Sequence, residues 1–465
     1  MVTIGGNLGG TAFNSALIKV KFLIRVLFIL IKDFSDSYIN KLEEREMAAD
    51  ILNELAWRGA INQVTDEDGL RDLVGKESIG LYVGIDPTGD SMHIGHLIPF
   101  MILKRFQLVG HHPVIVVGGG TGTIGDPSGK KSERKLLSQE DVAANVEKIR
   151  AQMVKLFGEN EFTIVNNYDW LGQMSLLGML RDYGKLFSIN SMLAKDVVAS
   201  RLDAGISFTE FTYQILQAID FYELYKRQHV RLQIGGSDQW GNITNGVDLI
   251  HKLVDSEAPA FGLTVPLLLK ADGTKFGKTE GGAVWLDPAK TTPFEFYQFW
   301  LNTADADVEK MLKYFTFISQ DEISELVAEL AENASARHAQ RRLAQEVTTF
   351  VHGEEAMHTA EVMTNVLFGN ADVASLSTDE VAVLAGNVPT FEIAADEIGL
   401  LDLVVAAGLE KSKTAARRSV KDGAVRINGV QIKDEDAVIN PADKYDGKYV
   451  IVKRGKKKWA VAVVK

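Results

Sequence analysis

The 465 residues include no cysteine, which removes disulfides, thiol nucleophiles and thiolate metal sites at once and fits a reducing compartment. No long unbroken apolar run is present either. The nearest candidate, Ala16 to Ile31, is interrupted by Lys19, Lys21 and Arg25 and is short of the roughly 20 apolar residues that span a bilayer. Cationic charge is in deficit. Lys and Arg number 50 against 62 Asp and Glu, and a net charge of −12 argues against a protein that binds polyanions over its whole surface. The deficit is uneven. Leu401 to Lys465 holds 15 Lys and Arg against 8 Asp and Glu, so this tail is +7 and the remainder −19. An acidic body with a basic C-terminal module points to a local nucleic-acid contact.

The residues that are present imply several cores, since two to four domains are expected at this length. Residues 1–46 contain no acidic residue before Asp33. Two readings fit this extension: a mis-called upstream start with Met47 the true one, or a targeting or membrane-surface helix. Beyond it, Ala48 to Arg58 predicts a helix with Ile51, Leu52, Leu55 and Ala56 on one side, and Asp66 to Leu73 opens another, capped by Thr65.

The stretch from Leu81 to Leu97, LYVGIDPTGDSMHIGHL, organises the rest of the chain. Ile79 to Ile85 is short, apolar and β-prone, Pro87 and Gly89 make a turn, and Asp90 or Ser91 caps a helix striped by Ile94, Leu97, Ile98 and Met101. Backbone N–H groups at such a helix start favour anions. His93 and His96 fall on one face of its first turn, and Gly95 lets a flat ligand approach the backbone. Val114 to Val117 then reads as a buried parallel strand, followed by the Gly-rich loop Gly118 to Gly129. Strand, helix, strand and Gly-rich loop predict an α/β fold with a doubly wound parallel sheet and a ligand beyond the strand C-termini. The loop is no P-loop, because Gly125 to Lys130 has the wrong spacing and Lys131 follows. Lys130 and Arg134 could instead close over phosphates.

Five blocks occur in order: Leu81 to Thr88 with His93-Ile94-Gly95-His96, Gly125 to Lys130, Phe208 to Asp220, Gln233 to Ile243, and Lys275-Phe276-Gly277-Lys278-Thr279. Together, from about Met47 onward, they resemble the bacterial tyrosyl-tRNA synthetases, class I aminoacyl-tRNA synthetases with a C-terminal S4 domain. The resemblance implies ATP-dependent attachment of L-tyrosine to tRNA(Tyr). A tyrosyl-adenylate forms with release of pyrophosphate, and the tyrosyl group then passes to the tRNA 3′ end. Because the substrate carboxylate is itself the nucleophile, the site needs positioning and charge stabilisation, not a catalytic Ser or Cys.

The resemblance also assigns roles. His93, His96, Lys130, Arg134, Lys275, Lys278 and Thr279 would act on the phosphates, the lysine pair as a clamp for pyrophosphate. Tyr82 and Asp220 would bond the tyrosine hydroxyl, Asp126, Tyr213 and Gln217 its ammonium, and Gln233 would help orient it. Tyr213, Gln217 and Asp220 lie at i, i+4 and i+7, so one helix face carries all three. Gly84, Asp86, Gly95, Gly236, Asp238, Gln239 and Lys278 would contact ATP, with Mg2+ accompanying the nucleotide and no dedicated protein metal site. Val83 and Pro99 stand where some members carry Cys and Thr, which implies a modest tuning of ATP affinity.

The implied layout is an extension at 1–46, a Rossmann-like catalytic domain at 47–285 with a dimer-forming insert around 165–204, a helical anticodon-arm domain at 286–370, a linker at 371–397 and an α+β S4 RNA-binding domain at 398–465. Phe296, Tyr297, Phe299 and Trp300 read as core. In the last domain Asn428-Gly429 predicts a tight hairpin turn, and Lys411, Lys413, Arg417, Arg418 and Lys421 are the expected phosphate contacts. The partners implied are tRNA(Tyr), tyrosine, ATP and a second copy of the chain, in the cytoplasm and without a membrane partner. A tryptophanyl enzyme is the nearest rival, but an indole pocket would not need Tyr82 with Asp220.

Overall fold

The structure, a computed structural model, describes residues 51–465 except 127, 129–137, 204, 272, 275, 280–281, 369–372 and 456–457. The extension 1–46 lies outside them. The chain forms two compact units. One holds the described residues up to 90 with 98–147 and 157–267; the other holds 91–97, 148–156 and 268–465.

In the first unit, helix α1 (51–57) buries Ile51, Leu52 and Leu55 but leaves Ala56 exposed. Helix α2 (Glu67–Lys76) is capped one residue later than Thr65, by Asp66, whose side chain accepts from the Gly69 amide. The Thr65 hydroxyl is used elsewhere, accepting from Gly262 N–H. The sheet comprises β1 (Gln63–Val64), β2 (Gly80–Ile85), β3 (His112–Val117), β4 (Thr163–Asn166), β5 (Val230–Gly236) and β6 (Phe261–Val265) in the order β1-β6-β5-β2-β3-β4. Only the edge strand β1 runs antiparallel to its neighbour. From β2 the chain winds outward through β3 and β4, then returns to lay β5 and β6 on the other side. That reversal is a topological switch point, where open α/β sheets bind ligands beyond the strand C-termini.

Helices α3 (Ile94–Leu108) and α4 (Gln139–Phe157) follow β2 and β3. The α3 start departs from expectation. Asp90 and Ser91 do not cap it, because the segment before it is drawn into pairing: Leu286 N–H donates to Met92 O, Ile94 N–H donates to Val284 O, and His93 bridges Trp285. Tertiary pairing thus delays the helix to Ile94. The insert is built of short pieces, α5 (Tyr168–Leu171), α6 (Leu176–Gly178), α7 (Ile189–Leu193) and α8 (Asp196–Leu202). Two long helices close the unit. Ser207 caps α9 (Phe208–Arg227) through the Glu210 amide, and α10 (Trp240–Leu253) follows β5.

In the second unit, β7 (Lys278–Thr279) and β8 (Gly282–Ala283) form a small antiparallel pair. Helices α11 (Pro293–Leu301), α12 (Asp305–Phe315), α13 (Gln320–Glu332), α14 (His338–His352) and α15 (Glu354–Phe368) come next. Pro293 sits at the first helical turn behind a Thr292–Glu295 capping box, the place where its missing N–H costs least. Phe296, Tyr297 and Trp300 are fully buried, as expected of core.

The stretch 371–397 is not a free linker. It carries α16 (Thr378–Ala385), opened by a Ser377–Glu380 capping box, and β9 (Thr390–Ile393). After β10 (Ile398–Gly399), α17 (Leu400–Ala406) and α18 (Lys413–Lys421) come β11 (Val425–Ile427), β12 (Val430–Gln431), β13 (Val438–Ile439), β14 (Tyr449–Arg454) and β15 (Lys458–Val464). The sheet order β12-β11-β14-β15-β9 takes β9 in as a parallel edge strand. Alternation along β14 explains why. Val450 and Val452 pack with Leu400, Leu403 and Val420 on one face, while Ile451 packs with Val373, Val381 and Leu384 on the other. Apolar residues of the supposed linker therefore cover a second buried face. The hairpin turn forms as expected, with Asn428 and Gly429 at φ of 47° and 88°.

Candidate active site

Beyond the sheet, toward the C-terminal ends of β2 to β5, the first unit gathers a set of polar side chains. Tyr82 and Gln233 are register partners on β2 and β5, so both side chains leave the same face. Tyr82 is 1% exposed and its ring packs 5.4 Å from that of Phe221. Its buried hydroxyl has no hydrogen-bond partner among the described residues, and the same holds for the Gln233 Oε1. Asp220, on α9, is buried too. Its Oδ1 accepts from Trp170 Nε1 at 2.7 Å and its Oδ2 from Asn167 Nδ2 at 2.9 Å. Burial pushes the Asp220 carboxyl up to about 7, against the pull of these two donors. The Tyr82 phenol is raised well above its ordinary value by its own burial and then by Asp220.

Asn167 is the branch point. Its Nδ2 also donates to Thr121 Oγ1 (2.9 Å), and its Oδ1 accepts from Gly120 N–H (2.8 Å). Thr121 donates to Asp86 Oδ1 (2.8 Å), and Tyr213, on α9, donates to Asp86 Oδ2 (3.0 Å). A separate chain of hydrogen bonds runs through Asp126, which accepts from Ser128 N–H and from Gln239 Nε2 at 2.7 Å. Asn242 Nδ2 then donates to both Gln239 and Gln217. Burial, then Asp86 and Asp126, raise the Tyr213 phenol well above its ordinary value. A cluster of buried and half-buried carboxyls of this kind suits a cationic ligand group.

Two residues bond outside the group they were expected to join. Asp86 and Gln239 were expected on ATP, yet they bond Tyr213 and Asp126, the residues expected on the ammonium. Gly84 and Gly236 frame open backbone: a Cβ at Gly84 would meet nothing within 4 Å, and one at Gly236 would meet only the Asp238 carboxylate. Four members escaped the sequence reading: Thr121, Asn167, Trp170 and Asn242. Their signal is position, since Thr121 and Asn167 closely follow the C-termini of β3 and β4.

In the second unit, His93 and His96 stack with ring centroids 4.0 Å apart. The Gly95 amide donates to His93 Nδ1 (3.1 Å) and the His93 amide to His96 Nδ1 (3.2 Å). With both Nδ1 atoms accepting, each neutral ring carries its proton on Nε2 and can donate from there. Gly277, at φ 94°, lies against this turn, where a Cβ would stand 3.6 Å from Gly95 N. Lys130, Arg134 and Lys275 lie outside the described residues, and of Lys278 and Thr279 only the backbone is described. Lys411, Lys413, Arg417, Arg418 and Lys421 are all exposed on or beside α18. Lys413 pairs with Asp402 at 2.6 Å, and Arg417 and Lys421 share Glu435 at 3.4 and 3.2 Å. Exposed pairs of this kind are worth about 0–1 kcal/mol and exchange readily for a phosphate. Among the described residues no helix is long and apolar enough to cross a membrane, and no group of His, Asp and Glu could hold a metal.

Residues 75–369 match the family model of class I tRNA synthetases (W and Y), and residues 380–462 match that of the tyrosine–tRNA ligase SYY-like C-terminal domain. The chain is 60% identical over 420 residues to the tyrosine–tRNA ligase of Latilactobacillus sakei subsp. sakei, covering 90% of this chain and 100% of that one. It is 61% identical over 416 residues to the tyrosine–tRNA ligase of Limosilactobacillus reuteri, with the same coverage. A C-terminally truncated mitochondrial tyrosyl-tRNA synthetase from Aspergillus nidulans is similar in structure, with a TM-score of 0.63 at 33% identity over 71% of this chain and 100% of that one. The first family model covers well over half of the chain, and the relatives are matched along their full length. The chain belongs to the class I tRNA synthetases and, among them, to the tyrosine–tRNA ligases.

Proposed function

We infer that the network around Asp220 is the tyrosine subsite of an enzyme that charges tRNA with tyrosine at the expense of ATP. One observation carries this reading: a buried phenol, Tyr82, has an unpartnered hydroxyl beside a buried carboxyl, in a site whose other polar groups are largely paired. Leaving such a hydroxyl unpaired costs about 1–3 kcal/mol, and a substrate phenol removes the cost by bonding Tyr82 and Asp220 together. Phenylalanine cannot. Tyrosyl-tRNA synthetase is itself the standard worked example of this discrimination, at about 10⁵-fold. Asp86, Asp126, Tyr213 and Gln217 hold the ammonium, and Gln233 orients the substrate.

ATP is the second substrate, accompanied by Mg2+. Gly84, Gly236 and Asp238 hold the nucleotide. His93 and His96 donate from Nε2 to the phosphates, Gly95 keeps the backbone accessible, and Lys130, Arg134, Lys275, Lys278 and Thr279 neutralise the departing pyrophosphate. The tyrosine carboxylate attacks the α-phosphorus, pyrophosphate leaves, and the tRNA 3′-terminal hydroxyl then displaces AMP from the adenylate. The basic face of α18 meets the tRNA phosphates, and the protein works in the cytoplasm. Amino-acid-dependent ATP–pyrophosphate exchange tests the reading. Tyr82→Phe is expected to erode the preference for tyrosine over phenylalanine about tenfold, the worth of one hydrogen bond. An unchanged ratio would remove Tyr82 from the phenol subsite, and exchange driven by tryptophan would overturn the assignment.

The insert supports a homodimer. Leu176, Leu177, Leu180, Ile189 and Phe208 are exposed within one short span of chain, Leu177 by 78%. Apolar surface concentrated in this way marks a protein contact, and a second copy supplies a matching apolar face through a two-fold axis. Leu177→Asp is expected to shift the protein to monomer in sedimentation velocity at micromolar concentration. An unshifted dimer would place the contact elsewhere.

A further inference from the structure

The motif Lys275-Phe276-Gly277-Lys278-Thr279 holds a phenylalanine between its two lysines, and that ring has a defined seat. Phe276 lies 5.8, 5.7 and 5.3 Å from the rings of Phe299, Trp300 and Phe315, which belong to α11 and α12. Trp300 and Phe315 are fully buried and 4.9 Å apart, so this seat is part of the helical core. The chain leading to Phe276 is tied to α12 as well. Asp307 accepts from Ala271 N–H at 2.7 Å, and Lys310 Nζ donates to Leu269 O at 3.1 Å. Phe276 N–H returns to Leu268 O, closing a short loop whose turn contains Gly273 at φ 80°.

One residue later the chain touches something else. Gly277 lies against the start of α3, near Ile94 and Gly95. Further on, Val284 and Trp285 pair with Ile94 and His93. Two successive residues therefore join the helical core to the histidine turn. The packing of Phe276 is incomplete on one side. A cavity of about 690 Å³ lies there, lined by Phe276, Trp285, Phe299, Asp307 and Met311 among others.

We propose that Phe276 is a positioning residue: its seat on Phe299, Trp300 and Phe315 fixes the backbone that runs through Gly277 into Lys278, and so links the packing of α11 and α12 to the action of Lys278 on pyrophosphate. The proposal rests on the reading of those lysines as pyrophosphate contacts. Misplacing a charge-stabilising group by about 1 Å can cost 10²-fold in rate. Removing the ring should therefore act on the rate of activation and spare tyrosine binding.

The test is ATP–pyrophosphate exchange with the full chain carrying Phe276→Ala, Phe276→Leu, Lys278→Ala and each pair of a Phe276 change with Lys278→Ala. Phe276→Ala is expected to lower kcat about 10- to 100-fold with KM for tyrosine within about twofold, and Phe276→Leu to restore most of the rate. The decisive readout is the cycle. If Phe276 acts through the lysine, its removal adds almost nothing once Lys278 is gone. Multiplying effects, or an unchanged kcat in Phe276→Ala, would overturn the proposal. If Phe276→Ala does not fold, the cycle with Phe276→Leu decides in the same way. A Lys278→Ala enzyme with unaltered exchange would instead defeat the reading of the lysines, which separates the two failures.

Discussion

Asp220→Asn is expected to lower kcat/KM for tyrosine in pyrophosphate exchange by about 10²-fold and to flatten its pH dependence. The first effect follows from donors that the carboxylate alone can satisfy. Trp170 Nε1 and Asn167 Nδ2 take one oxygen each. An asparagine amide presents an NH₂ to one of them, leaving two buried donors facing each other, and it also removes the charge that a tyrosine hydroxyl would donate to. The second effect follows from burial, which raises the carboxyl to about 7. In the free protein the group ionises only as the pH passes that value. A phenol that donates to the ionised form binds better as pH rises, so tyrosine affinity should fall about tenfold for each unit below pH 7 and level off above it. The folded protein feels the same group in the opposite sense. Since the folded value lies above the unfolded one, stability is unaffected below about pH 4, declines through the interval between the two values, and carries its full penalty of a few kcal/mol above about 7. A tyrosine affinity flat from about pH 6 to 8 in the unaltered protein would remove Asp220 from the phenol.

That pocket was partly legible in the sequence, and the boundary of legibility has physical causes. Tyr82 lies on an apolar strand that announces itself by composition, and Tyr213, Gln217 and Asp220 share a helix face through their spacing. Strand β5 was harder to see, because Arg231 and Gln233 interrupt its apolar residues. On the proposed reading Gln233 is polar for the site's sake, and the functional requirement then erases the strand signal. Asn167 and Trp170 sit at and in a four-residue helix without periodicity, and only the meeting of β3, β4 and α9 gives them a role. The bonds of Asp86 to Thr121 and Tyr213 were not legible, because the order of residues in a turn does not say which neighbour a carboxylate will meet. The stretch 371–397 looked like a linker because its apolar residues serve two different cores, which blurs any single period. The α3 start illustrates the opposite case. Good capping residues at Asp90 and Ser91 lost to a β-bridge between His93 and the distant Trp285.

The same bridge sets the last expectation. His93 is held extended by Trp285, and His96 follows on the first helical turn, so the two rings stack. Each Nδ1 accepts from a backbone N–H, so a neutral ring carries its proton on Nε2 and would offer it to a phosphate from there. A donor fixed in this way costs no reorganisation as charge grows on the phosphate oxygens, and losing one is worth about 10²- to 10³-fold in kcat. His96→Ala is therefore expected to lower kcat of tyrosine activation by about 10²-fold, with KM for ATP within about threefold. The tautomer makes the prediction sharper. A glutamine amide reaches the place of Nε2, whereas an asparagine amide reaches only that of Nδ1. His96→Gln should recover about tenfold of the loss, and His96→Asn should behave like the alanine variant. The reverse order would mean that Nδ1 is the working atom, and a rise in KM at constant kcat would mean that the ring binds ATP without favouring the transition state.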